Sequence, residues 1–149
     1  MFSKTTEYAL RAVIYIAQKS AADKKIGITE IAEAIDAPTS FTAKILQQLT
    51  KDGKIIKSVR GPGGGFYMPA TAQKKAVRLI LEIMEEDEVL DKCVLGLANC
   101  SETKPCPMHA RYKEIKTQLI RLFEEKTIED LVSGLATGKT YINNRSKGR

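Results

Sequence analysis

A mainly α-helical fold carrying one small β-hairpin is what this sequence of 149 residues predicts, on three observations. Apolar residues recur at helical spacing from Thr5 to Leu49, interrupted by short turn signals. A glycine-rich stretch, Gly61-Pro62-Gly63-Gly64-Gly65, then separates two short runs of strand-forming residues. Finally, Met108, Tyr112, Ile115, Leu119 and Leu122 recur at steps of four, three, four and three, the seam spacing of a long coiled-coil helix. A chain of this length buries a core without staples.

The first helix spans Thr5 to Ala17, with Leu10, Val13, Ile14 and Ala17 as its apolar stripe. The run D-K-K-I-G ends it, and Thr29 is expected to cap a short second helix whose Ile31 and Ile35 share one face. After D-A-P, a third helix is capped by Thr39 or Ser40, buries Ile45, Leu46 and Leu49, and stops at Gly53. Two short helices joined by a tight turn have the layout of a helix-turn-helix, whose second helix enters the DNA major groove.

The outer face of that third helix carries Ser40, Ala43, Lys44, Gln47 and Lys51, with Thr39 at its start. Lysine and glutamine reach phosphates or base edges, and alanine can touch a thymine methyl. A solvated face on an ordinary helix is the competing reading. The next segment favours DNA: Ile55 to Val59 and Phe66 to Met68 form a β-hairpin, a wing, with Arg60, Gly61, Pro62 and Gly63 at its tip. An arginine there can enter a narrow minor groove, and the glycines let backbone approach phosphate. A nucleotide-binding loop is excluded, because no G-K-[S/T] follows and the glycines lead into a strand.

Charge agrees with this placement. The net charge is +6, and from Phe41 to Lys75 seven bases face Asp52 alone, whereas Glu82 to Asp91 holds six acids and no base. Such a bias favours a polyanionic partner. No apolar run approaches the ~18 residues of a membrane span, and the opening M-F-S-K-T-T-E-Y lacks the layout of a signal peptide. The expectation is a soluble, cytoplasmic protein.

All three cysteines, Cys93, Cys100 and Cys106, and the sole histidine, His109, lie in one segment. An odd number of cysteines in a reducing compartment argues against a disulfide. Three thiolates and an imidazole suffice for four-fold metal ligation, and the gaps of six and five residues suit a loop around a cluster better than a zinc knuckle. Zinc stays open. A catalytic thiol would need a base and a pocket that the sequence does not supply, so no enzyme and no small-molecule substrate are expected.

The run Tyr8-Ala9-Leu10-Arg11, with Ile31-Ala32-Glu33, Lys44-Ile45-Leu46-Gln47-Gln48-Leu49 and Ser58 to Phe66 through the wing, resembles the Rrf-two family of winged helix-turn-helix transcriptional regulators, of the IscR/NsrR-like, iron–sulfur cluster type. The resemblance implies a homodimer on a palindromic double-stranded DNA operator, with the third helix in the major groove and Arg60 reaching the minor groove. It implies an iron–sulfur cluster, 2Fe–2S ahead of 4Fe–4S, held by Cys93, Cys100 and Cys106. His109 is the fourth ligand by preference, and Glu7 of the partner subunit is the alternative. The first cysteine gap is one residue longer than the family's pattern. A cluster-free repressor controlled by a protein partner, thiol oxidation or structural zinc is the second reading.

The domain boundaries expected are 1–90 for the DNA-binding domain, 91–106 for the cysteine loop, 107–135 for a dimerisation helix with a short capping helix, and 136–149 for a basic flexible tail. The long helix carries Met108, Tyr112, Ile115, Leu119 and Leu122 as its dimer seam, unless the monomer buries them. Thr127 and Asp130 form a capping box for the last helix.

Overall fold

A computed structural model describes residues 1–20 and 24–145. Helix α1, Lys4–Ser20, opens on Ser3, whose Oγ accepts from the N–H of Thr6 at 3.2 Å in the N-cap pattern. It buries Ala9, Ala12, Val13, Ile16 and Ala17 at the centre of the core. Of the expected stripe, Leu10 and Ile14 turn out half-buried.

Helix α2, Ile28–Ala34, is capped by Gly27 and not by Thr29, which stands inside the first turn. The cause lies upstream: the N–H and C=O of Ile26 both bond to Phe66 of the wing, at 2.9 and 2.8 Å, holding the chain extended until Gly27. Helix α3, Thr39–Thr50, is capped by Pro38 and by neither Thr39 nor Ser40. The Pro38 carbonyl accepts from the Thr42 N–H and hydroxyl, both at 3.0 Å, so Thr39 and Ser40 are helical and project outward. Between the helices Asp36 takes the left-handed turn, φ +55.

The wing pairs β1, Lys57–Val59, with β2, Gly65–Tyr67, antiparallel, Ser58 facing Phe66. The first strand starts two residues later than expected, and the second is shifted by one, from Phe66–Met68 to Gly65–Tyr67. Ile55 and Ile56 are both fully buried, so the chain is still passing through the core there, and the N–H of Met68 donates to Ser20 Oγ at 2.8 Å instead of to the ladder. Two glycines are required by close approach: a Cβ on Gly64 would fall 2.2 Å from the Val59 carbonyl oxygen, and one on Gly65 would fall 2.7 Å from that of Ile26.

Beyond the wing come α4, Ala70–Gln73, α5, Arg78–Ile83, and a 3-10 turn at Asp87–Leu90. The cysteine loop leads to α6, His109–Glu125, and then α7, Ile128–Ala136. The capping box at Thr127 and Asp130 is present in both directions, at 2.9 and 3.2 Å. Helix α7 packs on α1, and Ala76 pairs with Thr127, tying the C-terminal helices to the N-terminal helices and wing. Phe123 meets Phe2 edge-on at 5.5 Å. After α7 the chain turns back toward α1 and α2, with Ile142 half-buried and Arg145 bonded to Asp36. The last four residues of the expected tail lie outside the described residues. No helix among the described residues is long and apolar enough to cross a membrane.

Candidate nucleic-acid interface and cysteine loop

Burial of Thr42, Ile45, Leu46 and Leu49 fixes how α3 is rolled on the core. Thr39, Ser40, Ala43, Lys44, Gln47 and Lys51 are all exposed as a result. Gln48 holds the helix from the side, its Nε2 donating to the carbonyl of Ile83 on α5 at 3.1 Å. Phe41 is 49% exposed beside this face and was missed from sequence; it stands four residues before Ile45, so its spacing reads as part of the buried stripe and gave no signal of exposure. At the wing tip Arg60, Gly61, Pro62 and Gly63 are exposed, closed by a Gly64 N–H to Gly61 carbonyl bond of 2.9 Å. Gly61 and Gly63 have φ of +91 and +74, values that favour glycine.

In the cysteine loop, Cys93 and Cys106 are buried and Cys100 is half-buried. The backbone N–H groups of Leu95 and Leu97 point at the Cys93 sulfur and hold its thiol below the usual range, helped by the Cys106 side chain and Gly96. Cys100 Sγ lies 3.6 Å from His109 Nδ1. The other imidazole nitrogen, Nε2, is buried without a hydrogen-bond partner, although Glu102 Oε2 stands 3.4 Å away. Sequence reasoning placed four donors together; the fold arranges them as two pairs, Cys93 with Cys106 and Cys100 with His109. Among the described residues no three or more His, Cys, Asp or Glu side chains converge on one point. Glu7 is exposed in the first turn of α1.

The donor chemistry nevertheless fits an iron–sulfur cluster: soft thiols, one of them with its pKa lowered, and an imidazole with a buried nitrogen that has no hydrogen-bond partner. Both ends of the loop are anchored. Arg78 on α5 meets Asp91 at 3.6 Å, Glu82 at 3.7 Å and Glu124 of α6 at 2.8 Å, and Lys116 Nζ donates to the Asp91 carbonyl at 2.6 Å. At the far end Ser101 Oγ accepts from the N–H groups of Thr103 and Lys104, and Lys113 pairs with Glu102.

The monomer leaves the seam of α6 open. Met108, Ile115 and Leu122 are 50–55% exposed, with Tyr112 and Leu119 half-buried, so packing within this chain covers the stripe only in part. Leu95 and Leu97 of the cysteine loop add exposed apolar surface, at 50% and 51% exposure.

Residues 2–134 match the family model Rrf2, described as iron-dependent transcriptional regulator. A protein of Aquifex aeolicus assigned as an HTH-type transcriptional regulator is 34% identical over 135 residues, spanning 89% of this chain and 92% of that one. The HTH-type transcriptional regulator IscR of Escherichia coli O1:K1 / APEC is 27% identical over 126 residues, 85% of this chain and 76% of that one. Among solved structures, CymR of B. subtilis superposes with a TM-score of 0.70 at 18% identity, over 89% of this chain and 96% of that one. IscR of T. potens does so at 0.69 and 16%, over 94% and 91%. The exposed α3, the glycine-built wing and the match over nearly the whole chain make this protein a winged helix-turn-helix transcriptional regulator of the Rrf2 family.

Proposed function

We propose that this chain is a homodimeric, cytoplasmic, DNA-binding regulator whose cysteine loop senses iron–sulfur status, redox state or nitric oxide. The observation that carries the reading is the position of that loop: every cysteine and the only histidine lie between α5, which braces α3, and the open seam of α6. Cys93, Cys100, Cys106 and His109 would hold an iron–sulfur cluster, 2Fe–2S in preference to 4Fe–4S, which supplies when bound a charge and ligation state responsive to those signals; Glu7 of the second subunit is the alternative fourth donor.

On DNA, Thr39, Ser40, Ala43, Lys44, Gln47 and Lys51 meet the major groove, and Arg60 with Gly61, Pro62 and Gly63 meets the backbone and minor groove. Two such readers suit a palindromic operator, because two-fold symmetry in protein and DNA then coincide. Met108, Tyr112, Ile115, Leu119 and Leu122 pair across the dimer.

Communication has a short path of covalent, ion-pair and hydrogen-bond links. Asp91 is two residues from Cys93 and is held by Arg78 on α5, whose Ile83 carbonyl holds Gln48 on α3. Ordering or releasing Cys93 and Cys106 therefore pulls on the helix that braces α3. A coupling of about 1–3 kcal/mol alters DNA affinity roughly five- to 150-fold.

The cluster-free reading keeps one specific support: the donors stand as two pairs, with a Cys93 thiol held low, an arrangement open to thiol oxidation or zinc. Protein purified without air separates the two by its visible spectrum with iron, sulfide and zinc assays on the same sample. Iron and sulfide in stoichiometric amounts support the cluster regulator. Colourless protein that stays so after reconstitution removes it and leaves the second reading.

A further inference from the structure

The segment after α7 folds back onto the helix-turn-helix. Gly138, φ +70, reverses the chain, and the N–H groups of Lys139 and Thr140 both bond to the Gly134 carbonyl, at 3.0 and 3.1 Å. Position 134 must be small for this return, since a Cβ there would fall 2.6 Å from Thr140 Oγ1. The chain then passes Arg11 of α1 and reaches the turn between α2 and α3. There Arg145 Nη1 donates to both carboxylate oxygens of Asp36, at 3.1 and 3.0 Å. Asn143 Oδ1 accepts from the Arg145 N–H at 3.1 Å and sets the direction of approach.

Arg145 thus stands at the entrance of α3, in a groove it shares with Thr29, Glu33, Pro38 and Thr39. Its side chain is 72% exposed, and only Nη1 is engaged among the described residues, which leaves Nη2 and Nε without a bond there. Asp36 would otherwise present a carboxylate where a phosphate passes the start of α3, and the guanidinium offsets it. The docked segment also flanks the reading face without covering it: Thr39, Ser40, Lys44 and Gln47 all remain exposed. From Ala136 to Arg149 the chain holds Lys139, Arg145, Lys147 and Arg149 and no acid.

We infer that this C-terminal segment is a DNA-backbone contact of its own, in which Arg145, seated on Asp36, binds a phosphate beside the N-terminal end of α3. The inference rests on the DNA-binding reading above. An arginine can serve both partners, because its planar guanidinium has five donors and the carboxylate occupies one nitrogen.

The test uses the full chain and a duplex that it selects from a random pool, with binding followed by anisotropy over a KCl series. Arg145→Gln and a chain ending at Thr140 are measured alone and in an Asp36→Asn background, with thermal melts confirming that each is folded. One lost phosphate contact flattens the slope of log K against log salt by about 0.9 and weakens binding roughly three- to tenfold near physiological salt. The shortened chain, which loses Arg145, Lys147 and Arg149, should lose at least as much, and Asp36→Asn should not restore either variant. Unchanged affinity and slope overturn the inference, as does tighter binding by the shortened chain, which would make the segment a cover. Recovery in the Asp36→Asn background overturns it too, by reducing Arg145 to a neutraliser of Asp36. Should the shortened chain fail to fold, Arg145→Gln decides alone. A full chain that selects no duplex overturns the DNA-binding reading itself, and this inference with it.

Discussion

Cys100 Sγ lies 3.6 Å from His109 Nδ1, at the point where the cysteine loop runs into α6. Nε2 of the same ring is buried without a hydrogen-bond partner, and the nearest acceptor is Glu102 Oε2 at 3.4 Å. An unsatisfied buried polar atom costs about 1–3 kcal/mol, a cost that ligation or a further partner would remove. The ring is therefore positioned at the loop's exit between Cys100 on one nitrogen and the Glu102 carboxylate near the other.

Cys93→Ala, Cys100→Ala and Cys106→Ala should each abolish iron and sulfide retention in protein purified without air, while circular dichroism and the melting curve show a folded winged helix. His109→Ala should lose most of it, and Glu7→Ala none, if the histidine is the fourth ligand. The reverse order for the last two would assign that place to Glu7.

Arg60→Ala should weaken binding about tenfold, on the order of 1–2 kcal/mol, and most on sites with narrow A/T-rich minor grooves. Lys51→Ala should lower affinity nearly uniformly across sequences and flatten the salt dependence by about one ion. Equal losses on every sequence for Arg60→Ala would refute shape readout at the wing.

The open seam of α6 gives a test of assembly. Ile115→Lys with Leu122→Lys places two charges on a face that is half exposed in the monomer, so folding should survive while sedimentation shows a single 16.5 kDa chain. A dimer persisting in that variant would place the interface elsewhere.

Arg78 is 20% exposed and joins α5 to Glu124 on α6 and Asp91 at the root of the loop. Arg78→Gln should cost about 1 kcal/mol, because its partners are half exposed and screened, and lower the melting temperature by roughly 3 °C. Its larger effect should be on communication: DNA affinity should cease to differ between protein with and without the cluster. A full difference retained in Arg78→Gln would rule out this path.

Acid sensitivity follows from the C-terminal capping box. The backbone N–H of Thr127, and then its side chain, hold the Asp130 carboxyl below its ordinary range. A carboxylate whose folded pKa is depressed stabilises the protein fully above its unfolded value near 3.9, and that contribution fades as pH falls through the lower folded value. Wild type should therefore melt above Asp130→Ala at pH 7, and the gap should close below about pH 4. A gap independent of pH would mean that the charge plays no part in the cap.

Local chemistry was legible wherever a residue's neighbours in sequence are also its neighbours in space. The buried stripe Ile45, Leu46 and Leu49 and the Thr127–Asp130 box follow from helical spacing alone, and the exposed face of α3 comes with the stripe. Caps were misplaced where a distant element intervened. Gly27 replaced Thr29 because Ile26 is held by Phe66, some 40 residues on. Pro38 replaced Thr39 and Ser40 because its carbonyl makes the first bonds of the helix.

By itself the sequence determined the helical segments, the glycine-built wing, the clustering of Cys93, Cys100, Cys106 and His109, and the family resemblance that the comparison bears out. Each of these depends on side-chain type at short spacing, which a linear reading can see. Only the tertiary structure decided that the four donors stand as two pairs, that Arg78 ties the loop to the brace of α3, and that Arg145 reaches Asp36 across 109 positions. Those contacts arise from how α1, α5, α6 and α7 pack, and packing brings together residues whose separation along the chain carries no local signal.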